Sequence, residues 1–162
     1  MAVCVPNILI LGHSFVRRLR DDLPKCFDPR AAPNFHLPES GHVSLFGTGG
    51  RTVEKLSKYD LSSLYKYRPD IVVRVVGVCQ VINRNTPQKS PDCHFNAKAA
   101  VLRQYLSVVL ANQPGIFLWE HKEFYRSDRS FLCSDGVHCN AKGQYHLYRS
   151  YRGAILKALS LL

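Results

Sequence analysis

Short apolar runs alternate with amphipathic segments along the whole chain. The runs are rich in valine, isoleucine and leucine, which is typical of strands, whereas the segments between them repeat apolar residues every three or four positions, which is typical of helices. Strands are predicted at 7–11, 42–46, 71–76 and 116–119. Helices are predicted at 15–23, 53–59, 61–67 and 96–111, with a last helix capped by Asn140.

This alternation predicts an α/β fold. The run 71–76 is almost continuously valine and isoleucine, as expected for a strand of a parallel sheet that helices cover on both faces, and Arg74 is its polar exception. Ligands of such sheets bind beyond the carboxyl ends of the strands. Because the sequence shows no internal repeat and no shift in composition, it predicts a single domain over 1–162. That domain is expected to be a three-layer α/β/α sandwich with a mostly parallel sheet of about five strands.

The chain is strongly basic. It has 22 Lys and Arg residues against 12 Asp and Glu residues, a formal net charge of +10, and should therefore attract polyanions such as nucleic acid or an acidic membrane surface. Its longest apolar stretch, 71–79, is far shorter than the roughly 20 residues that span a bilayer. The apolar run 8–11 is too short for the core of a signal peptide. We expect a cytoplasmic protein without a transmembrane segment.

The cysteines give no framework for disulfides or for a metal site. The six cysteines form no CxxC pair and are interpreted as mostly free thiols. Cys93 and His94 could be combined with Cys133, His138 and Cys139 into a zinc site, but these spacings match no recurrent zinc pattern. No metal and no other cofactor is therefore predicted.

Three residues have the types and positions of a nucleophile, a base and the acid that orients the base. Ser14 directly follows the first predicted strand and its Gly12 turn, and it begins a helix whose first N–H groups could stabilise an oxyanion. Asp135 and His138 lie three residues apart in one loop and supply the other two groups. Taken singly, the three are more simply interpreted as a helix cap, a turn former and a polar loop residue. The α/β-hydrolase signature G-x-S-x-G is absent, because no second glycine follows Ser14.

The motifs that contain these residues resemble those of the SGNH (GDSL-like) hydrolases. The segment Ile8-Leu9-Ile10-Leu11-Gly12-His13-Ser14 resembles the first block of the family, and Ser134-Asp135-Gly136-Val137-His138 resembles the last, with Asn140 and Gly143 following. Between them, Gly47-Thr48-Gly49-Gly50-Arg51-Thr52 is similar to the glycine block, and 70–77 is similar to the strand that leads into the third block. The resemblance therefore spans nearly the whole chain.

The resemblance implies a function for each matched residue. In the family a serine attacks an ester carbonyl, a histidine is the base and an aspartate orients that base; the matching residues here are Ser14, His138 and Asp135. The oxyanion is held by the N–H groups of the serine and of a glycine, which match Ser14 and Gly49, and by an asparagine side chain.

Two positions depart from the family pattern. The third block, Gly-x-Asn-Asp in the family, reads Gly77-Val78-Cys79-Gln80, so Cys79 occupies the position of the oxyanion asparagine. A thiol is a poor donor, and the loss of one oxyanion donor costs on the order of 100- to 1000-fold in turnover, although Gln80 could donate in its stead. His13 stands where the family usually has aspartate, and it is interpreted as structural.

Two functions remain open at this point. The leading prediction is a serine esterase that removes small acyl groups from an ester-bearing small molecule, lipid or glycan. The alternative is a catalytically weak or inactive SGNH-like module that binds RNA or another polyanion. SGNH-like domains are also known in metazoan retrotransposon proteins and in an RNA-binding germ-plasm protein. A flavodoxin-like nucleotide binder is disfavoured, because no G-x-G-x-x-G loop follows the first strand.

Arginines and tyrosines that could contact nucleic acid lie near the candidate site residues in the sequence. They are Arg17, Arg18, Arg20, Arg51, Arg126, Arg129, Arg149, Arg152, Tyr125, Tyr145, Tyr148 and Tyr151. The acyl group, the alcohol portion of the substrate and the oligomeric state leave no motif in the sequence.

Overall fold

The computed structural model describes residues 7–12, 14–25, 28–37, 41–48, 62, 66, 76–79, 81–85, 94–125 and 129–161. The chain divides into two units, Met1–Arg74 together with Leu162, and Val75–Leu161. Each unit contains its own pair of strands and is described by itself.

In the first unit, one helix packs on two parallel strands. Strand β1 (Asn7–Gly12) pairs along its whole length with β2 (His42–Gly47). Helix α1 (Ser14–Asp22) begins two residues after the end of β1. This close turn depends on Gly12, because a Cβ at that position would collide with the side chain of Val16.

In the core of the first unit, the apolar face of α1 packs on β1 and β2. The chain segment that leads from α1 to β2 adds further buried residues to this core. Burial of this face, rather than helix propensity alone, stabilises a helix this short. The buried apolar residues of the unit are Ile8, Val16, Leu19, Leu23, Phe35 and Leu37.

The second unit contains another parallel strand pair. Strand β3 (Val76–Cys79) pairs with β4 (Ile116–Trp119), and helix α2 (Phe95–Leu110) lies between them in the chain. Gly77 in β3 leaves room for the ring of Phe117 in β4, because a Cβ at position 77 would lie 2.9 Å from Cζ of Phe117. A parallel pair needs such a crossover helix, since a tight turn cannot return the chain to the same end of the sheet.

Helix α3 (Ala141–Leu159) supplies most of the core of the second unit. It contacts β3 and the 3-10 turn Arg129–Phe131. A second 3-10 turn, Lys122–Tyr125, follows β4. The buried residues of α3 are Gly143, Gln144, Leu147, Tyr148, Tyr151, Ala154, Ile155 and Ala158.

Most of the predicted elements are confirmed. The strands at 7–11, 42–46 and 116–119 and the helices at 15–23 and 96–111 occur within one residue of their predicted ends, and the last helix is capped by Asn140 as predicted. Of the strand predicted at 71–76, residues 71–75 lie outside the described residues, and the described strand β3 runs from Val76 to Cys79, where it pairs with β4. The predicted helices at 53–59 and 61–67 lie outside the described residues, apart from Ser62 and Lys66, which are both helical.

Parallel pairing in both units confirms the α/β class. Within the described residues the strands form two sheets of two strands each, while one larger sheet in a single three-layer domain stays a prediction. No helix in the described part of the chain has the length and apolar character to cross a membrane.

Candidate active site

Ser14 lies at the junction between β1 and α1 in the first unit. Its surface is 7% exposed, and it opens the helix, where the first N–H groups have no partner within the helix itself. The carbonyl of Gly12 accepts a hydrogen bond from the backbone N–H of Thr48 at 3.2 Å, which ties the end of β1 to the residue after β2. The sequence-predicted nucleophile thus stands at the carboxyl end of a parallel strand, as that prediction requires.

Asp135 and His138 are in direct contact in the second unit. Oδ2 of Asp135 lies 2.6 Å from Nδ1 of His138. The other carboxylate oxygen, Oδ1, accepts the backbone N–H groups of His138 at 2.9 Å and of Val137 at 2.8 Å. The carboxylate is therefore fixed by groups that all lie within the next three residues.

These hydrogen bonds favour the ionised form of the Asp135 carboxyl group. The backbone N–H of His138, then its side chain, then the N–H of Val137 hold the pKa of Asp135 well below its ordinary value. An ionised Asp135 can only accept at Nδ1 of His138, so the proton of a neutral imidazole lies on Nδ1. In that tautomer Nε2 carries no proton, which is the form that a general base needs.

A small network of backbone bonds closes the loop that holds this pair. Cys133 donates its N–H to the carbonyl of His138 at 2.7 Å, and Gly136 donates to Cys133 at 2.9 Å. Gly136 has φ +65°, and its carbonyl accepts the N–H of Asn85 at 2.7 Å. A Cβ on Gly136 would collide with the carbonyl of Asn85. Glycine is thus required here both by the backbone conformation and by the neighbouring segment.

The residues predicted to hold the oxyanion are only partly described. Cys79 ends β3, and burial raises the pKa of its thiol to about 12. The side chain is therefore a neutral thiol at physiological pH, which is at best a weak donor. Gly49, Gln80 and His13 lie outside the described residues.

A part-buried polar cluster that the sequence pattern did not predict lies at the carboxyl end of β4. Nε1 of Trp119 donates to Oγ of Ser150 at 3.0 Å, and the same Oγ lies 2.7 Å from Nδ1 of His121. His121 is 2% exposed, and burial lowers its pKa to about 4. These residues line a cavity of about 560 Å³, which Lys122, Glu123 and Phe124 of the turn after β4 also line. The available signal was the position of His121 two residues after the end of a predicted strand.

No group of three or more His, Cys, Asp or Glu side chains in the described part of the chain could hold a metal ion. Cys79, Cys133 and Cys139 are free thiols, whereas Cys4, Cys26 and Cys93 lie outside the described residues.

The structure also limits the proposed nucleic-acid contacts. Tyr148 and Tyr151 are 2% and 8% exposed, so they belong to the core and cannot stack on bases, which corrects the sequence-based expectation for these two residues. Arg149 is exposed on α3, and Arg20 is exposed on α1 and forms an ion pair with Asp21 at 2.9 Å. Arg51 and Arg126 lie outside the described residues.

Comparisons with known proteins find similarity in structure only. No protein-family model matches the chain, and no curated protein matches its sequence. A solved structure described as a platelet activating factor from Streptococcus pneumoniae has 13% sequence identity and a TM-score of 0.63, with 94% of this chain and 85% of that chain covered.

Two further solved structures match over almost their full length. The C-terminal catalytic domain of peptidoglycan O-acetyltransferase A from Streptococcus pneumoniae, with a methylsulfonyl adduct, has 12% identity and a TM-score of 0.61, with 98% of this chain and 97% of that chain covered. A mutant acetyl esterase with an acetate ion has 11% identity and a TM-score of 0.56, with 97% and 99% covered. At these identities the likeness shows the fold alone, and that fold is SGNH-hydrolase-like, as the sequence motifs predict.

Proposed function

We propose that this protein is a serine esterase that removes small acyl groups through a Ser14, His138 and Asp135 triad. The observation that carries the proposal is the contact of 2.6 Å between Asp135 and His138, because an aspartate at Nδ1 favours the histidine tautomer in which Nε2 carries no proton. The position of Ser14 at the end of β1 and the start of α1 supports the proposal for the nucleophile. The proposal requires both units to form one three-layer α/β/α domain over 1–162, with one mostly parallel sheet.

The reaction would proceed in two steps. Oγ of Ser14 attacks the ester carbonyl while Nε2 of His138 takes its proton, and the same proton is then delivered to the departing alcohol, which leaves an acyl-enzyme. Water, deprotonated by His138, attacks this ester, and Ser14 regains its proton as the acid is released. The backbone N–H groups of Ser14 and Gly49 are the proposed oxyanion donors.

The proposed acyl group is small, with acetyl as the first choice. Two of the structural neighbours carry acetyl chemistry in their names, as an O-acetyltransferase and an acetyl esterase. At 12% and 11% sequence identity these neighbours do not assign the alcohol portion of the substrate. The proposed substrate classes are therefore an ester-bearing small molecule, a lipid and a glycan.

Covalent labelling tests the proposal most directly. A fluorophosphonate probe and p-nitrophenyl acetate should react with the parent protein and fail to react with Ser14→Ala and His138→Ala. Ser107→Ala is the matched control, because Ser107 is an exposed serine of α2 whose Oγ donates to the carbonyl of Gln104 in the same helix, so its labelling should equal that of the parent. Undiminished labelling of Ser14→Ala would exclude Ser14 as the nucleophile, and an unlabelled parent would exclude the esterase.

A second candidate function is a weak or inactive module that binds RNA or another polyanion. Two observations favour it, the net charge of +10 and the neutral thiol of Cys79 at the position of the oxyanion asparagine. Filter binding of single-stranded RNA should then weaken steeply with added salt, and Arg149→Glu should reduce it further. Absence of binding at low salt would exclude this candidate.

A further inference from the structure

The side-chain amide of Asn140 connects three parts of the second unit. Its Oδ1 accepts the N–H of Gly143 at 2.9 Å, which caps α3. Its Nδ2 donates to the carbonyl of Ser130 at 2.8 Å and to the carbonyl of Leu132 at 3.1 Å. The orientation of the amide is unambiguous, because the two carbonyls can only accept and the N–H of Gly143 can only donate.

The two carbonyls lie at the base of the loop that carries Asp135 and His138. Leu132 and Cys139 form an antiparallel bridge, and the backbone N–H of Asn140 donates to the carbonyl of Phe131 at 3.0 Å. The backbone thus closes the loop from one side, and Nδ2 of Asn140 adds two bonds between its two ends. The amide thereby fixes the incoming end of the loop against the first turn of α3.

We infer that Asn140 is a positioning residue that acts through His138. This inference rests on the proposed function, in which His138 is the base. Asn140 stands two residues after His138. If the two ends of the loop move relative to each other, the imidazole of His138 moves relative to the groups with which it would react. A displacement of about 1 Å at a reacting group can cost on the order of 100-fold in rate. The two hydrogen bonds from Nδ2 of Asn140 should therefore affect the reaction rate more than a helix cap alone would.

Substitution by serine separates the two tasks of this amide. In Asn140→Ser the hydroxyl can still cap α3, since serine is a favoured N-cap residue, but it is too short to reach the carbonyls of Ser130 and Leu132. Asn140→Asp is the second variant, because it keeps the size of the side chain and the acceptor for Gly143 while it has no N–H donor. Ile155→Val is the control for lost stability, since Ile155 is buried in the same helix.

The experiment measures the rate of fluorophosphonate labelling, the downfield proton NMR resonance of Nδ1–H of His138, and the thermal midpoint. We expect labelling of Asn140→Ser to be slower by on the order of 10- to 100-fold, with a broadened His138 resonance, whereas Ile155→Val keeps both at parent values. Asn140→Asp should behave like the serine variant, which excludes loss of the cap as the cause.

Labelling at the parent rate together with a sharp His138 resonance in both Asn140 variants would overturn the inference. An unlabelled parent would instead overturn the proposed esterase. In that case the NMR resonance alone decides the inference, because the contact between His138 and Asp135 does not depend on activity: broadening in both variants supports positioning, and an unchanged resonance refutes it.

Discussion

The buried imidazole of His121 predicts that the protein loses stability in mild acid. His121 is 2% exposed, and burial lowers its pKa from 6.5 to about 4. Ser150 accepts the indole N–H of Trp119, so its own O–H is free to donate to Nδ1 of His121. A proton on Nδ1 would remove this acceptor and place a charge on a group that is buried away from solvent.

The sign and size of the effect follow from linkage. Between pH 6.5 and about pH 4 the unfolded chain binds a proton at this histidine that the folded protein does not bind, so the free energy of unfolding falls as the pH falls. At about 1.4 kcal/mol per pH unit, the loss should reach about 2 kcal/mol at pH 5 and about 3 kcal/mol at pH 4, and then level off. This is a large part of the 5–15 kcal/mol that is typical of a folded domain.

Urea unfolding followed by circular dichroism at several pH values between 7.5 and 4 measures this loss. His121→Asn is the informative variant, because an amide oxygen can still accept from Ser150 but does not titrate. We expect it to remove most of the pH dependence, whereas His42→Asn, a change at an exposed histidine, should leave it in place. An equal slope in the parent and in His121→Asn would refute this reasoning.

Three further predictions concern the candidate site. Asp135→Asn should slow labelling by on the order of 10⁴-fold, because an amide no longer fixes the proton on Nδ1 of His138; an unchanged rate would exclude the pair as base and orienting acid. Gly136→Ala should lower the free energy of unfolding by about 1–3 kcal/mol in urea titrations, since φ is +65° and a Cβ meets the carbonyl of Asn85; an unaltered midpoint would contradict that. Cys79→Asn should raise ester turnover by up to about 100-fold if the thiol occupies an oxyanion position, and no increase would place the donor elsewhere.

Local features of the fold were predictable from the sequence. The contact between Asp135 and His138 follows from a spacing of three residues in one turn, and both oxygens of the carboxylate are satisfied within that turn. The junction at Ser14 follows from a strand, a glycine and an amphipathic helix in immediate succession. In these cases the partners lie close together in the chain, so residue order alone contains the information.

Features that depend on distant partners were not predictable in the same way. The predicted strand ends at 76, just before Gly77. Strand β3 nevertheless includes Gly77 and reaches Cys79, because these residues pair with β4 and the ring of Phe117 in β4 lies against Gly77. His121 lies among the charged residues Glu120, Lys122 and Glu123, a context that is typical of an exposed loop. Its burial depends on Ser150, which is 29 residues away in the chain.

If the proposed triad operates, Cys79 in the position of the family's asparagine should weaken catalysis rather than abolish it. Loss of one oxyanion donor costs on the order of 10²- to 10³-fold, whereas enzymes typically accelerate reactions by about 10⁶-fold or more. The orientation of His138 does not depend on Cys79, because in the described part of the chain every hydrogen bond to Asp135 comes from Val137 or His138. A slow reaction that requires both Ser14 and His138 is therefore the result that distinguishes a weakened esterase from a binding module, since a module without a working triad would show no difference between these variants and the parent.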